Sequence, residues 1–193
     1  MKHTREYEIA WQGLKPGLHT FVYDIDDRFM EGRMVDESFK NWNARITLNF
    51  DKHENFFMLH FDIDGDIIVP CDRCGDEFKL KLWDEFDLII KLTGDDSEKI
   101  EDEDDVVFIS RGEVIIDVSN WLYEYLMLSI PLQRIHPDGE NGSSGCNESV
   151  LKLLDKLAEV PEQVSNPMWK GLEAFKKAKA TPKVKKTIKK NNN

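Results

Sequence analysis

The stretch "FMLHFDIDGDIIVPCDRCGDEFKLKLWDEFDLIIKL", Phe57 to Leu92, decides the fold class. In its first third Phe57, Leu59, Phe61 and Ile63 alternate with Met58, His60, Asp62 and Asp64. In its last third Phe78, Leu80, Leu82, Phe86, Leu88, Ile90 and Leu92 hold even positions, with Lys79, Lys81, Glu85, Asp87 and Lys91 at odd ones. A period of two marks strands with one face buried and the other wet. The second run predicts one long strand with at most a bend near Asp84. Upstream, Ala44, Ile46, Leu48 and Phe50 of "ARITLNF" alternate with Arg45, Thr47 and Asn49, and the polar break "DKHEN" joins this run to the Phe57 strand as an antiparallel hairpin. Asp64-Gly65 reads as a bulge. "REYEIAW" and "HTFVYDI" read as further strands joined by the turn "LKPG", where Pro16 and Gly17 supply turn geometry.

Downstream the period changes. In "EVIIDVSNWLYEYLMLSIP" the residues Val118, Trp121, Leu122, Tyr125 and Leu128 fall on one helical face, Asp117 or Ser119 can cap the start, and Pro131 stops the helix. A second helix fits "NESVLKLLDKLAE", with Asn147 as cap and Val150, Leu151, Leu154 and Leu157 on one face, and a short third fits "NPMWKGLEAFKKA". The predicted fold class is α+β: a twisted antiparallel sheet, partly barrel-like, covered by one main helix, with C-terminal helices and a disordered basic tail. The expected organisation is a main domain over residues 1–160, a short helical extension over 161–178 and a Lys-rich tail over 179–193.

Between the two long strands sits "VPCDRCGDEF", Val69 to Phe78, with two of the chain's three cysteines. Gly75 after the second thiol gives C-x2-C-G, a spacing that lets backbone N–H groups turn toward thiolate sulfurs in a metal knuckle. A tetrahedral zinc site needs two more ligands. Cys146 and His136, in "HPDGENGSSGCN", complete the pattern C-x2-C-x61-H-x9-C. Cys71, Cys74, His136 and Cys146 would then form a closed structural zinc set with no position for catalysis. The other reading is a tight turn between strands whose thiols stay reduced and unligated. A thioredoxin-type redox pair fits less well, because that motif opens a helix and here a strand follows.

Composition narrows the class further. The chain has 193 residues, 40% hydrophobic and 33% charged, with no run of about 18 apolar residues to span a bilayer, and "MKHTREYEIAW" lacks the features of a signal peptide. A cytoplasmic address is expected, where an odd count of three cysteines stays reduced. The net charge of −11 hides a division: eight lysines and no acid lie between Lys176 and Asn193, so residues 1–175 carry 18 basic against 37 acidic residues, or −19. The acidic body suits a basic protein partner, whereas the tail could contact phosphate backbones without reading sequence, or serve only as a solubilising end. The run from Asp95 to Asp105 carries eight acids and reads as a solvated, mobile loop. The five histidines are scattered, and no nucleophile elbow, metalloprotease motif or phosphate-cradling glycine loop is present, so nothing in the sequence asks for an enzyme or a small-molecule substrate.

The segments "GLKPGLHTFVYDIDDRFM", "NARITLNF", "LHFDIDGDIIVPCDRCGDEF" and "IIDVSNWLYEYLMLSIPL" follow, in order, a pattern that resembles the DUF177 or YceD family, also called the large ribosomal RNA subunit accumulation protein family. The similarity covers about residues 6–150, and its most specific elements are the runs Gly65 to Cys74 and Asp117 to Pro131. The resemblance implies a bacterial cytoplasmic protein linked to accumulation or processing of 23S ribosomal RNA, with no known enzymatic activity. Members that keep a second cysteine pair place it shortly after the proline; His136 and Cys146 stand in those places here, separated by a Gly/Ser-rich insertion. The extension beyond about residue 160 lies outside the pattern. The first expectation is therefore a non-catalytic ribosome-biogenesis factor acting on ribosomal RNA. The alternative is an acidic protein-binding module that escorts a basic large-subunit ribosomal protein. Hydrolase or nuclease activity ranks third.

Overall fold

The computed structural model describes residues 5–94, 106–139 and 143–158. Two compact units divide the chain, Met1–Leu151 and Lys152–Asn193, and of the second only residues 152–158 are described. In the first unit the order is β1 (Glu8–Ile9), β2 (Gly17–Asp26), α1 (Asp27–Met30), β3 (Lys40–Lys52), β4 (Phe56–Pro70), β5 (Glu77–Thr93), β6 (Val106–Ser110), β7 (Ile116–Asp117) and α2 (Ser119–Leu128). The last helix, α3 (Glu148–Ala158), begins there and runs into the second unit. The acidic run 95–105, the third helix expected within 166–178 and the Lys-rich tail fall outside the described residues.

A five-stranded sheet in the order β2-β3-β4-β5-β6 forms the body, and β1 with β7 makes a separate two-stranded ribbon. The long alternating runs became β3, β4 and β5, of 13, 15 and 17 residues. Their inward residues fill the core: Phe50, Phe57, Phe61, Ile46, Leu48, Ile63 and Leu82 are all fully buried. Each such side chain contributes roughly 1.5–3 kcal/mol on burial, which is why the alternation holds register so firmly. A one-residue slip would turn all of them to water.

The inner face is covered by α2 and the N-terminal segment. Tyr125 stacks on Phe86 at 4.7 Å between ring centroids and leans on Phe61 at 4.9 Å, while Trp11 packs on Phe57 at 4.9 Å. Asp117 Oδ1 accepts the Ser119 N–H at 2.9 Å, satisfying one free donor of the first turn of α2. Val118, just before the helix, and Leu122 and Leu126 within it are buried in an i, i+4, i+8 row, and Leu128 is left exposed. Of the expected stripe Val118, Trp121, Leu122, Tyr125 and Leu128, the first four face the core and Leu128 does not: at about 100° per residue it lies about 120° round from Leu122.

Four further points differ from the sequence reading. The sheet is antiparallel from β2 to β5, but β6 joins β5 in parallel, with Ile89 opposite Val106 and Thr93 opposite Ser110. Among the described residues β2 and β6 remain separate edges, so the sheet is open and not barrel-like. "REYEIAW" yields 3-10 turns around the two-residue β1, which pairs with β7 instead of joining the main sheet. The bulge lies in β3, between Lys40 and Asn43, where Asn41 has φ 54°, and not at Gly65. Gly65 is needed for a different reason: a Cβ there would sit 2.5 Å from Ala44 Cα and 2.6 Å from the Asn43 carbonyl oxygen, so the β3 backbone approaches too closely for any side chain.

That approach gives a direct test. Gly65→Ala is expected to cost about 1–3 kcal/mol in urea denaturation, because backbone atoms of β3 must move. Gly13→Ala, with nothing within 4 Å of the added carbon, should stay within about 0.5 kcal/mol of the parent. Equal costs at the two positions would contradict the packing described.

Candidate metal centre

β4 ends at Pro70 and β5 begins at Glu77, and the residues between them fold into a knuckle. The Cys71 N–H donates to the Asp76 carbonyl at 2.9 Å, and the Gly75 N–H donates to the Cys71 carbonyl at 2.9 Å. Gly75 sits at φ +80°, the left-handed region that glycine enters without strain, which explains its place after the second thiol. The turn directs the backbone N–H groups of Arg73 and Cys74 at the Cys71 sulfur. Burial pushes the Cys71 thiol up, but these N–H groups, with the backbone and ring of His136, outweigh it and hold the group down at about 6.

The chain leaving α2 meets this knuckle. Asp72 and Arg134 are joined by two short bonds, one between backbones and one to a side chain: the Asp72 N–H donates to the Arg134 carbonyl at 2.7 Å, and the Arg134 N–H donates to the Asp72 carboxylate Oδ2 at 2.7 Å. The Arg134 guanidinium adds a bond from Nη2 to Asp72 Oδ1 at 2.9 Å and lies 5.1 Å from the centre of the Phe39 ring. Arg134 holds the Asp72 carboxyl below the usual carboxylate range through these bonds. Asn147 completes the clasp, donating from Nδ2 to Asp76 Oδ2 at 3.0 Å while its Oδ1 accepts the Ser149 N–H at the start of α3. Gly145 is forced by crowding, since a Cβ there would lie 2.5 Å from the Pro137 carbonyl oxygen.

The clasp brings together all four side chains that the sequence spacing singled out. Ligand atoms of Cys71, Cys74, His136 and Cys146 all lie within 4.8 Å of one another. Cys71 Sγ is 3.7 Å from Cys146 Sγ, and Cys74 Sγ is 3.5 Å from His136 Nδ1. A tetrahedral zinc ion with Zn–S about 2.3 Å and Zn–N about 2.0–2.1 Å separates its ligand atoms by about 3.8 Å for S···S and about 3.6 Å for S···N. The two distances match the edges of such a tetrahedron; hydrogen-bonded thiols span similar lengths. The three cysteines are buried in a small apolar pocket walled by Phe78, Ile135, Val150 and Leu151, and the Phe78 ring packs on His136 at 4.6 Å. Burial pushes the Cys146 thiol up, and the neighbouring sulfurs of Cys71 and Cys74 add to this against the Ser144 hydroxyl. One low and one high thiol, 3.7 Å apart, are what a cation would equalise by taking both as thiolates.

Sequence spacing could not reveal Asp72, Arg134 and Asp76 as the groups that hold the donors in place. Asp72 and Arg134 are 62 positions apart and carry no local pattern. Phe78 was legible only as a strand residue.

The profile of one protein family, described as large ribosomal RNA subunit accumulation protein YceD, matches residues 59–176. The match starts within β4, takes in the knuckle, α2 and all four donor residues, and extends past residue 160, where the pattern had been expected to end. Searches of curated proteins and of solved structures found no match. No helix among the described residues is long and apolar enough to cross a membrane. With well over half of the chain inside the profile, the protein belongs to the YceD family of large ribosomal RNA subunit accumulation proteins.

Proposed function

We propose that this chain is a non-catalytic factor that supports accumulation or processing of the 23S ribosomal RNA, with a structural zinc ion held by Cys71, Cys74, His136 and Cys146. Family membership over residues 59–176 carries the RNA part of the reading. The zinc part rests on the donor chemistry: three sulfurs and one imidazole nitrogen converge in a water-poor pocket, with a backbone knuckle around the first sulfur. Four protein ligands leave such an ion no open position for water or substrate, so its work is to fasten the exit of α2 to the β4–β5 turn. The strong negative charge of residues 1–175 favours a second reading, in which the factor acts on the RNA indirectly by escorting a basic large-subunit ribosomal protein.

Two measurements test these statements separately. Depletion of the protein should lower the ratio of 23S to 16S ribosomal RNA; an unchanged ratio would remove the RNA reading. Protein purified without chelator should contain about one zinc per chain. Cys71→Ser or Cys146→Ser should lose the metal and melt roughly 5–10 °C lower, the shift expected when about 2.7 kcal/mol of ligand-linked stability disappears from a chain of this size. Substoichiometric zinc with unchanged midpoints would leave the knuckle as a turn with reduced thiols.

A further inference from the structure

The outer face of the main sheet, turned away from α2, presents exposed and half-exposed side chains along β2 to β5. We propose that this face docks a lysine- and arginine-rich segment of another protein; the proposal rests on the function proposed above and names the class of partner through which it is exercised.

The register of the central strands carries the inference. Asp62 and Glu85 are direct cross-strand partners in the β4–β5 pair. Like charges in that position repel and cost stability, and strands usually avoid them. The nearest relief is His60, whose Nε2 lies 4.0 Å from Glu85 Oε2 while its Nδ1 bonds Asp87 at 2.7 Å. Toward the edges of the same face acids do have cations: Asp24 pairs with Arg45 at 2.8 Å and Asp66 with Lys79 at 2.9 Å. The opposed carboxylates of Asp62 and Glu85 thus lie in the middle of the face, with His60 beside Glu85 at 4.0 Å as their partial relief. One position along, Asp64 faces Trp83, and that indole is 77% exposed. A large aromatic kept in water beside carboxylates is a platform for a guanidinium or ammonium, which gains from the ring face and from the acids together.

The layout selects among positively charged occupants. The carboxylates are strung along a ladder and do not converge: among the described residues the set whose donor atoms gather within 4.8 Å is the Cys/His cluster, so a single metal ion does not suit this face. The phosphates of RNA would be repelled by it. The four strands span about 15 Å, and Met58 to Asp66 about 26 Å along β4, which is the length of an extended segment of about eight residues.

Fluorescence anisotropy on the full-length protein tests this, with a labelled peptide of about twelve residues rich in Arg and Lys as one probe and a labelled oligouridylate of about twenty nucleotides as the other. The peptide should bind, more weakly as salt rises. D62N/E85Q should weaken peptide binding about tenfold and W83A about threefold, whereas E31Q/E37Q, which removes the same charge from a loop off the face, should leave it unchanged. Because D62N/E85Q relieves a repulsion, its melting midpoint should be equal or higher, which separates lost binding from lost folding. Unaltered peptide affinity in D62N/E85Q would overturn the proposal, as would an equal loss in E31Q/E37Q, which would reduce the effect to net charge. Oligouridylate binding that D62N/E85Q abolishes would likewise overturn it, assigning the face to nucleic acid. The 23S to 16S ratio is an independent readout: failure of peptide docking leaves that result standing, and an unchanged ratio leaves the docking result standing.

Discussion

The doubled contact between Asp72 and Arg134, one backbone–backbone bond and one from backbone to carboxylate, is the contact on which the Cys/His end of the molecule depends. It joins the turn between the two longest strands to the chain that has just left the covering helix, and it does so with two bonds of 2.7 Å reinforced by a charged pair. It holds the chain entering His136 against the turn that carries Cys71 and Cys74, and the bond from Asn147 to Asp76 ties the Cys146 end to the same turn. The pair is partly shielded, so it retains more of its strength than a fully exposed one. A four-ligand ion would then add a second fastening to a joint already aligned, which lowers the ordering cost that metal uptake must overcome.

The sheet side of this joint was legible in the sequence because β3, β4 and β5 each have one dry and one wet face over a dozen residues or more, and periodicity accumulates over such lengths. β1 and β7 are two residues each and have no period to read. The parallel attachment of β6 depends on where the chain returns after residue 94, a tertiary fact without a local signature. At Gly65 the sequence marks a special backbone position correctly but not its cause, since the reason lies in how close Ala44 comes from the neighbouring strand. On α2, the choice between Leu126 and Leu128 is a matter of a rotation that several aromatic residues in the helix leave ambiguous.

Much the same division holds for the site. That Cys71, Cys74, His136 and Cys146 would come together was legible from residue type and spacing, because metal chemistry restricts candidate ligands to a few side chains. The groups that orient them, Asp72, Arg134, Asp76 and Asn147, are common surface residues, and only the fold gives them a role. The two faces of the sheet also divide the work: the inner face supplies stability through apolar burial, and the outer face keeps like charges opposed at its centre, at a cost in stability. The family relationship links the chain to accumulation of large-subunit ribosomal RNA.

The most direct measurement of the joint is X-ray absorption at the zinc K-edge on protein purified without chelator. Three sulfur scatterers at about 2.3 Å and one nitrogen scatterer at about 2.0–2.1 Å are the expected first shell. A shell of nitrogen and oxygen alone, or no zinc edge in folded protein, would contradict a metal centre at Cys71, Cys74, His136 and Cys146.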